Sequence, residues 1–142
     1  MIQVFVPGIP QPQGSKNAYV RGSRAVLVEA NKKLPAWRKL VTEKLEAANV
    51  SCEPLENAVT LEVIFFFQQA KSNKKSFPAQ KPDTDKLIRA INDSGTDAGI
   101  FKDDSQVIEI IAKKLWARDE QEPGALIEYR EFYGVSYFQS QR

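Results

Sequence analysis

Two short stretches hold the residues best able to do chemistry: Lys81-Pro82-Asp83-Thr84-Asp85-Lys86-Leu87-Ile88-Arg89, followed by Asp93, and Phe101-Lys102-Asp103-Asp104-Ser105-Gln106-Val107. Magnesium takes hard oxygen ligands and is held by a few carboxylates, with water and substrate phosphate completing its shell. Asp83, Asp85 and Asp104 would suffice for such a site. Asp83 and Asp85 fall at the mouth of an expected helix, where free N–H groups and the positive dipole end also favour anions. Arg89 lies one helical turn from Asp85, placed either for a phosphate or for an ion pair with Asp85. A purely structural alternative stands beside this one. Asp83 is also a good N-cap, Asp85 a good first-turn acid, and Asp103-Asp104 a polar turn.

The remaining composition limits the chemistry further. The chain has no histidine and one cysteine, Cys52, which removes the usual zinc sites, Ser-His-Asp and Cys-His pairs, a histidine base and any intrachain disulfide. Carboxylates, Lys, Arg, Tyr and bound metal remain. Cys52 itself is expected to be a small buried hydrophobe. The net charge of +2 is small, yet it is unevenly spread. Residues 1–40 carry Lys16, Arg21, Arg24, Lys32, Lys33, Arg38 and Lys39 against Glu29 alone, and residues 71–82 carry Lys71, Lys74, Lys75 and Lys81 with no acid. Such segments form a local patch for a polyanion, or merely solvated loops.

These residues need a scaffold, and 142 residues fit one domain, 1–142. The longest apolar run, Val63 to Phe67, is far too short to span a bilayer, and the start lacks the pattern of a signal peptide, so a cytoplasmic protein is expected. Ile2–Pro7 is a short strand leading into the irregular loop Pro7-Gly8-Ile9-Pro10-Gln11-Pro12-Gln13-Gly14-Ser15-Lys16. Residues 18–20 and 25–28 form strands around the turn Arg21-Gly22-Ser23-Arg24. Trp37, Leu40, Val41, Leu45 and Ala48 recur at helical spacing, which predicts a helix over 34–48 with Pro35 in its first turn. A strand over 58–67 becomes apolar on both sides, as a central or interface strand would. The lysine-rich connection 68–82 is long for a compact domain. A second helix over 83–94 should end at Gly95, with Gly99 in the turn that follows. Strands over 105–116, partly buried on both faces, and 125–132 complete the set.

In order and spacing, three of these motifs resemble the RusA family of Holliday junction resolvases. They are Gly8-Ile9-Pro10-Gln11-Pro12-Gln13-Gly14-Ser15-Lys16, Pro82-Asp83-Thr84-Asp85-Lys86 and Asp103-Asp104-Ser105-Gln106-Val107. The resemblance implies an α+β fold, a single small domain whose mixed β-sheet packs with two main helices. It implies that Asp83, Asp85 and Asp104 are the metal-binding catalytic carboxylates, with Asp103 in support. Arg89 stands where some members have a catalytic lysine, and it keeps the charge but suits phosphate stabilisation better than proton transfer. Lys86 replaces the usual Asn. The implied activity is Mg²⁺-dependent hydrolysis, with Mn²⁺ as a substitute, of branched DNA such as a four-way junction, by a homodimer of phage or prophage type. DNA contacts are expected from Lys16, Arg21, Lys74, Lys75, Lys81, Lys86 and either Lys113 or Lys114. The strand 63–67 and the aromatic tail 133–142 are interface candidates. A fork or flap nuclease, or a non-catalytic DNA-binding protein of the same fold, are the alternatives.

Overall fold

Val59, Leu61, Val63 and Phe65 alternate along one strand and are all inaccessible to solvent, so the strand they form is the axis of the core. The computed structural model describes residues 1–14, 16–21, 24–29 and 31–134, with side chains for 1–14 and 31–134. Its elements are β1 (Ile2–Pro7), β2 (Lys16–Arg21), β3 (Arg24–Glu29), α1 (Leu34–Ala48), β4 (Val59–Phe67), α2 (Thr84–Asp97), a 3-10 turn (Asp104–Gln106), β5 (Val107–Trp116) and β6 (Gly124–Glu131). Four strands make one sheet in the order β1-β6-β4-β5, and β2 pairs with β3 as a separate hairpin. β4 and β5 are parallel, while β6 runs antiparallel to both β1 and β4. The fold is thus a small α+β domain with a mixed sheet and two helices, as expected.

Register puts Ile2, Val4 and Val6 beside Tyr129, Ile127 and Ala125, and these beside Leu61, Val63 and Phe65, all on one face of the sheet. The buried stripes of the helices close over that face: Leu34, Trp37, Val41 and Leu45 of α1, and Leu87, Ala90 and Ile91 of α2. Val63 and Phe65 therefore belong to the monomer's own core, which rules them out as interface residues. Ile64 and Phe66 point to the opposite face and are half-buried. Because β1, β4 and β5 run the same way, their C-terminal ends lie along one edge of the sheet. The loops 8–14, 68–82 and 117–123 all leave from that edge, and α2 starts there.

Four expectations need correction. Gly95 does not end α2, which continues to Asp97. It is a packing residue: a Cβ there would lie 2.9 Å from both the Phe101 ring and the Tyr129 hydroxyl. Gly99, at φ +71°, makes the turn instead. Ser105 belongs to the 3-10 turn and not to the strand. β5 is an edge strand among the described residues, so Ile108 (59%), Ile110 and Ile111 are exposed where partial burial on both faces was expected. Cys52 is exposed, because it sits at φ 58° in the turn that leaves α1 and its side chain points away from the core. No helix among the described residues is long and apolar enough to cross a membrane. The tail residues Tyr137 and Phe138 lie outside the described residues.

Candidate functional site

The first acidic pair stands where the long loop meets α2. Lys114 of β5 donates from Nζ to the carbonyls of Gln80 (2.6 Å) and Pro82 (2.8 Å), which anchors the residues just before Asp83. The N-terminal loop closes on the same place, since Gln13 donates its backbone N–H to the carbonyl of Lys86 at 2.9 Å. Asp83 occupies the N-cap position in an extended conformation, but its side chain makes no cap hydrogen bond. Its one charged neighbour among the described residues is Lys86, 3.7 Å away. The capping explanation for Asp83 therefore fails. Asp85 is exposed in the first turn of α2. Arg89, also exposed, forms no ion pair with it among the described residues.

At the second acidic pair the two aspartates divide the work. Asp103 accepts the Ser105 N–H (2.9 Å), and hydrogen bonding from the Ser105 hydroxyl and then from this N–H holds its carboxyl below the usual carboxylate range. Gln106 completes the capping box by accepting the Asp103 N–H at 3.2 Å and the Lys102 N–H at 2.8 Å. Its Nε2 also donates to the carbonyls of Leu55 (2.9 Å) and Asn57 (3.1 Å). Asp103 and Gln106 thereby pin the turn from below, and Asp104 stands exposed at its tip. Asp103 supports Asp104 through the backbone.

The charge of Asp104 is felt by Asp93, in the third turn of α2. Burial pushes the Asp93 carboxyl up, and Asp104 adds to the shift by repulsion, while Arg38 and Arg89 oppose it. Tyr129 is buried beneath this cluster, its hydroxyl raised well above the usual tyrosine value by burial and then by Asp104 and Asp93. It donates to Asn92 Oδ1 at 2.8 Å. Asp85, Arg89 and Asp93 recur every four residues and so share one face of α2. At 1.5 Å per residue, Asp85 and Asp93 are about 12 Å apart along the axis. Of the predicted ligands, Asp83 and Asp85 stand at the start of α2 and Asp104 on the 3-10 turn before β5. No group of three or more acidic or cysteine side chains is arranged to hold a metal ion among the described residues. Asp93 was missing from the predicted set, although its spacing from Asp85 and Arg89 was a usable signal.

The predicted cations fall into separate places. Lys81 and Lys86 rim a cavity of about 500 Å³ that also reaches Asp83. Lys74 and Lys75, with Lys71, line a second cavity of about 670 Å³ together with Arg118, which sequence reasoning did not single out. Arg118 reaches this loop by donating to the Ser76 carbonyl at 3.0 Å, a tertiary contact with no local sequence signature. Lys114 has two of its donors committed to the carbonyls before Asp83, which makes it a loop-positioning residue; the neighbouring Lys113 is exposed. Lys16 and Arg21 lie on β2, and their side chains fall outside the described residues.

The small α+β scaffold presents acids at the start of α2 and cations along the adjoining loops, groups suited to a divalent cation and a polyanion. The family model described as endodeoxyribonuclease RusA matches residues 7–128 of the 142-residue chain. The chain belongs to the RusA endodeoxyribonuclease family. No curated protein matches it.

Proposed function

We propose that the protein is a Mg²⁺-dependent endonuclease that resolves four-way DNA junctions in recombination and repair, working as a homodimer whose two-fold symmetry produces paired nicks. One observation carries this reading. Within the segment that matches the family, each aspartate motif leaves a carboxylate out of the fold's own bonding: Asp85 and Asp104 have no hydrogen bond or ion pair among the described residues, and Asp83 has only a distant lysine. Carboxylates that neither cap nor pair are available to a cation.

Asp83, Asp85 and Asp104 would hold the ion. These donors fit Mg²⁺, which commonly binds through one or two carboxylates and retains water, so a preformed three-acid cage is not required. When bound, the ion supplies a lowered pKa for water and polarises the phosphate, and Mn²⁺, with the same oxygen preference, substitutes. Arg89, exposed on the same helix face, stabilises charge developing on the phosphate. Lys81 and Lys86 beside Asp83, and Lys74 and Lys75 further out, bind the flanking backbone. Lys16 and Arg21 are proposed as further DNA contacts from the sequence alone.

The test is incubation of the protein with end-labelled four-way junction, fork and linear duplex in Mg²⁺, Mn²⁺ or EDTA. Symmetric metal-dependent nicks confined to the junction are expected. Cutting of forks or duplex as readily would replace junction resolution with a broader nuclease activity. No cutting of any substrate would end the catalytic reading and leave a DNA-binding protein, for which Lys86 and Arg89 would then be the relevant departures from the family pattern. Asp85→Asn should abolish cleavage and leave junction binding within about twofold, since it removes a metal ligand and no phosphate contact.

A further inference from the structure

The mechanism above gives no task to the loop from Gly8 to Gly14, although its backbone is tied to the first turn of α2 through Gln13. Of its polar side chains, Gln11 is occupied internally, while Gln13 Oε1 is buried without a hydrogen-bond partner among the described residues. Asn31 donates from Nδ2 to Gln11 Oε1 (3.1 Å) and to the Pro12 carbonyl (3.2 Å), and its Oδ1 accepts the Lys33 N–H (3.1 Å). Gln11 Nε2 donates back to the Ile9 carbonyl at 3.1 Å. With those groups satisfied, the loop presents hydrocarbon: Ile9, Pro10 and Pro12 face Phe67 and Pro82 across the cavity of about 500 Å³. Ile9 is 63% exposed, which is costly for an isoleucine held on an internally braced loop. Lys81, Lys86 and Asp83 share the rim.

Building on the nuclease reading, we infer that this cavity takes an unstacked nucleobase of the DNA strand next to the scissile phosphate. Its apolar walls receive the base, and Lys81 and Lys86 hold the adjoining phosphates. A mainly apolar lining that also includes two lysines matches the two halves of a nucleotide, and the volume lies within the ordinary range for small-ligand clefts. Its walls offer flat hydrocarbon surface and little free hydrogen-bonding capacity, so it accepts a base by shape and stacking and discriminates weakly among the four. Unstacking costs least for a base whose pairing or stacking is already disrupted, so the slot favours DNA distorted at a branch over continuous duplex. The proline-rich loop and the acidic motif then belong to one site, with Asp83 on the wall they share.

The experiment places 2-aminopurine, one position at a time, in the nucleotides flanking the cut in a four-way junction, and adds the Asp85→Asn protein in Mg²⁺. Binding is followed on the same samples by anisotropy of a distant label. The inference expects a severalfold rise in fluorescence at one flanking position. It also expects Ile9→Ser to abolish that rise and, in the otherwise wild-type protein, to lower junction-cutting kcat/KM by roughly fivefold through lost apolar contact, with Val50→Ser, a more exposed apolar residue (92%) just past the C-terminal end of α1, unchanged. Ile9 is already exposed, so its replacement should not unfold the protein. Tight binding by the Asp85→Asn protein and cutting by the wild-type protein, with no fluorescence change at any flanking position, would overturn the slot and leave the nuclease reading intact. Absence of binding by either protein and of cutting by the wild type would overturn both.

Discussion

Gln106 is the residue on which the second acidic motif turns. Its side chain joins four backbone groups on two separate segments: the N–H groups of Lys102 and Asp103, and the carbonyls of Leu55 and Asn57. Gln106→Ala deletes all four hydrogen bonds. Each is worth about 0.5–1.5 kcal/mol net. Because the site is only half-buried, water replaces part of each, so the lower end applies and the total comes to about 2 kcal/mol. For a domain of this size that is a fall of roughly 4–8 °C in Tm. Urea unfolding should show the midpoint reduced and the slope unchanged, since the surface exposed on unfolding is the same. The chemical consequence is larger. Asp104 is held at the tip of the turn that Gln106 braces, and a misplacement of about 1 Å can cost on the order of a hundredfold in rate. Junction cutting should therefore lose at least about tenfold in kcat with KM nearly unchanged. A variant that melts with wild type would show that Gln106 is not the brace. A variant that is destabilised as predicted but cuts at the wild-type rate would show that the position of Asp104 does not limit the chemistry.

Three further substitutions test other parts of the scaffold. Lys114→Met should cost about 1–2 kcal/mol in urea unfolding by leaving the Gln80 and Pro82 carbonyls without donors, and should speed limited proteolysis within loop 68–82; unchanged proteolysis would remove its positioning role. Gly95→Ala should destabilise by about 1–3 kcal/mol, because the new methyl meets Phe101 and Tyr129 at 2.9 Å and this outweighs the helix-propensity gain of up to about 1 kcal/mol; a stabilised variant would mean that the pocket yields. Asp93→Asn should raise Tm at neutral pH. The Asp93 carboxyl is raised above 3.8 by burial and by Asp104. Its folded state thus favours the neutral form, and the stability this confers is full below 3.8 and lost as pH rises through the folded value. The advantage of Asn should accordingly vanish in acid, and a Tm difference independent of pH would contradict the assignment.

Much of the architecture was legible in local pattern. Helical spacing from Trp37 to Ala48 marked α1, with Pro35 in the first turn where its missing N–H costs nothing, and the alternation of Val59, Leu61 and Val63 marked the buried face of β4. Where a tertiary neighbour decided, local rules misled. Gly95 has the composition of a helix stop, but Phe101 and Tyr129 press against it and require a residue without a side chain. The isoleucines of β5 have the pattern of a buried strand, and only the strand order leaves them at an edge.

The same division runs through the site. Residue type and spacing alone singled out Asp83, Asp85, Arg89 and Asp104, because carboxylates and cations are what remains in a chain without histidine. They also implied that Asp85 and Arg89 share a helix face, which is a property of 3.6 residues per turn and needs no tertiary contact. Only the folded chain decided which aspartates are free. Asp103 spends its carboxylate on the Ser105 N–H while Asp104 spends none, and Asp83 holds an N-cap position without capping. Only the folded chain, too, brought the charge of Asp104 to bear on Asp93, and brought the proline loop and Arg118 to the loops that surround α2's start. Hydrogen-bond partners and distances between segments far apart in the chain depend on how the sheet and helices pack, and no local period encodes them.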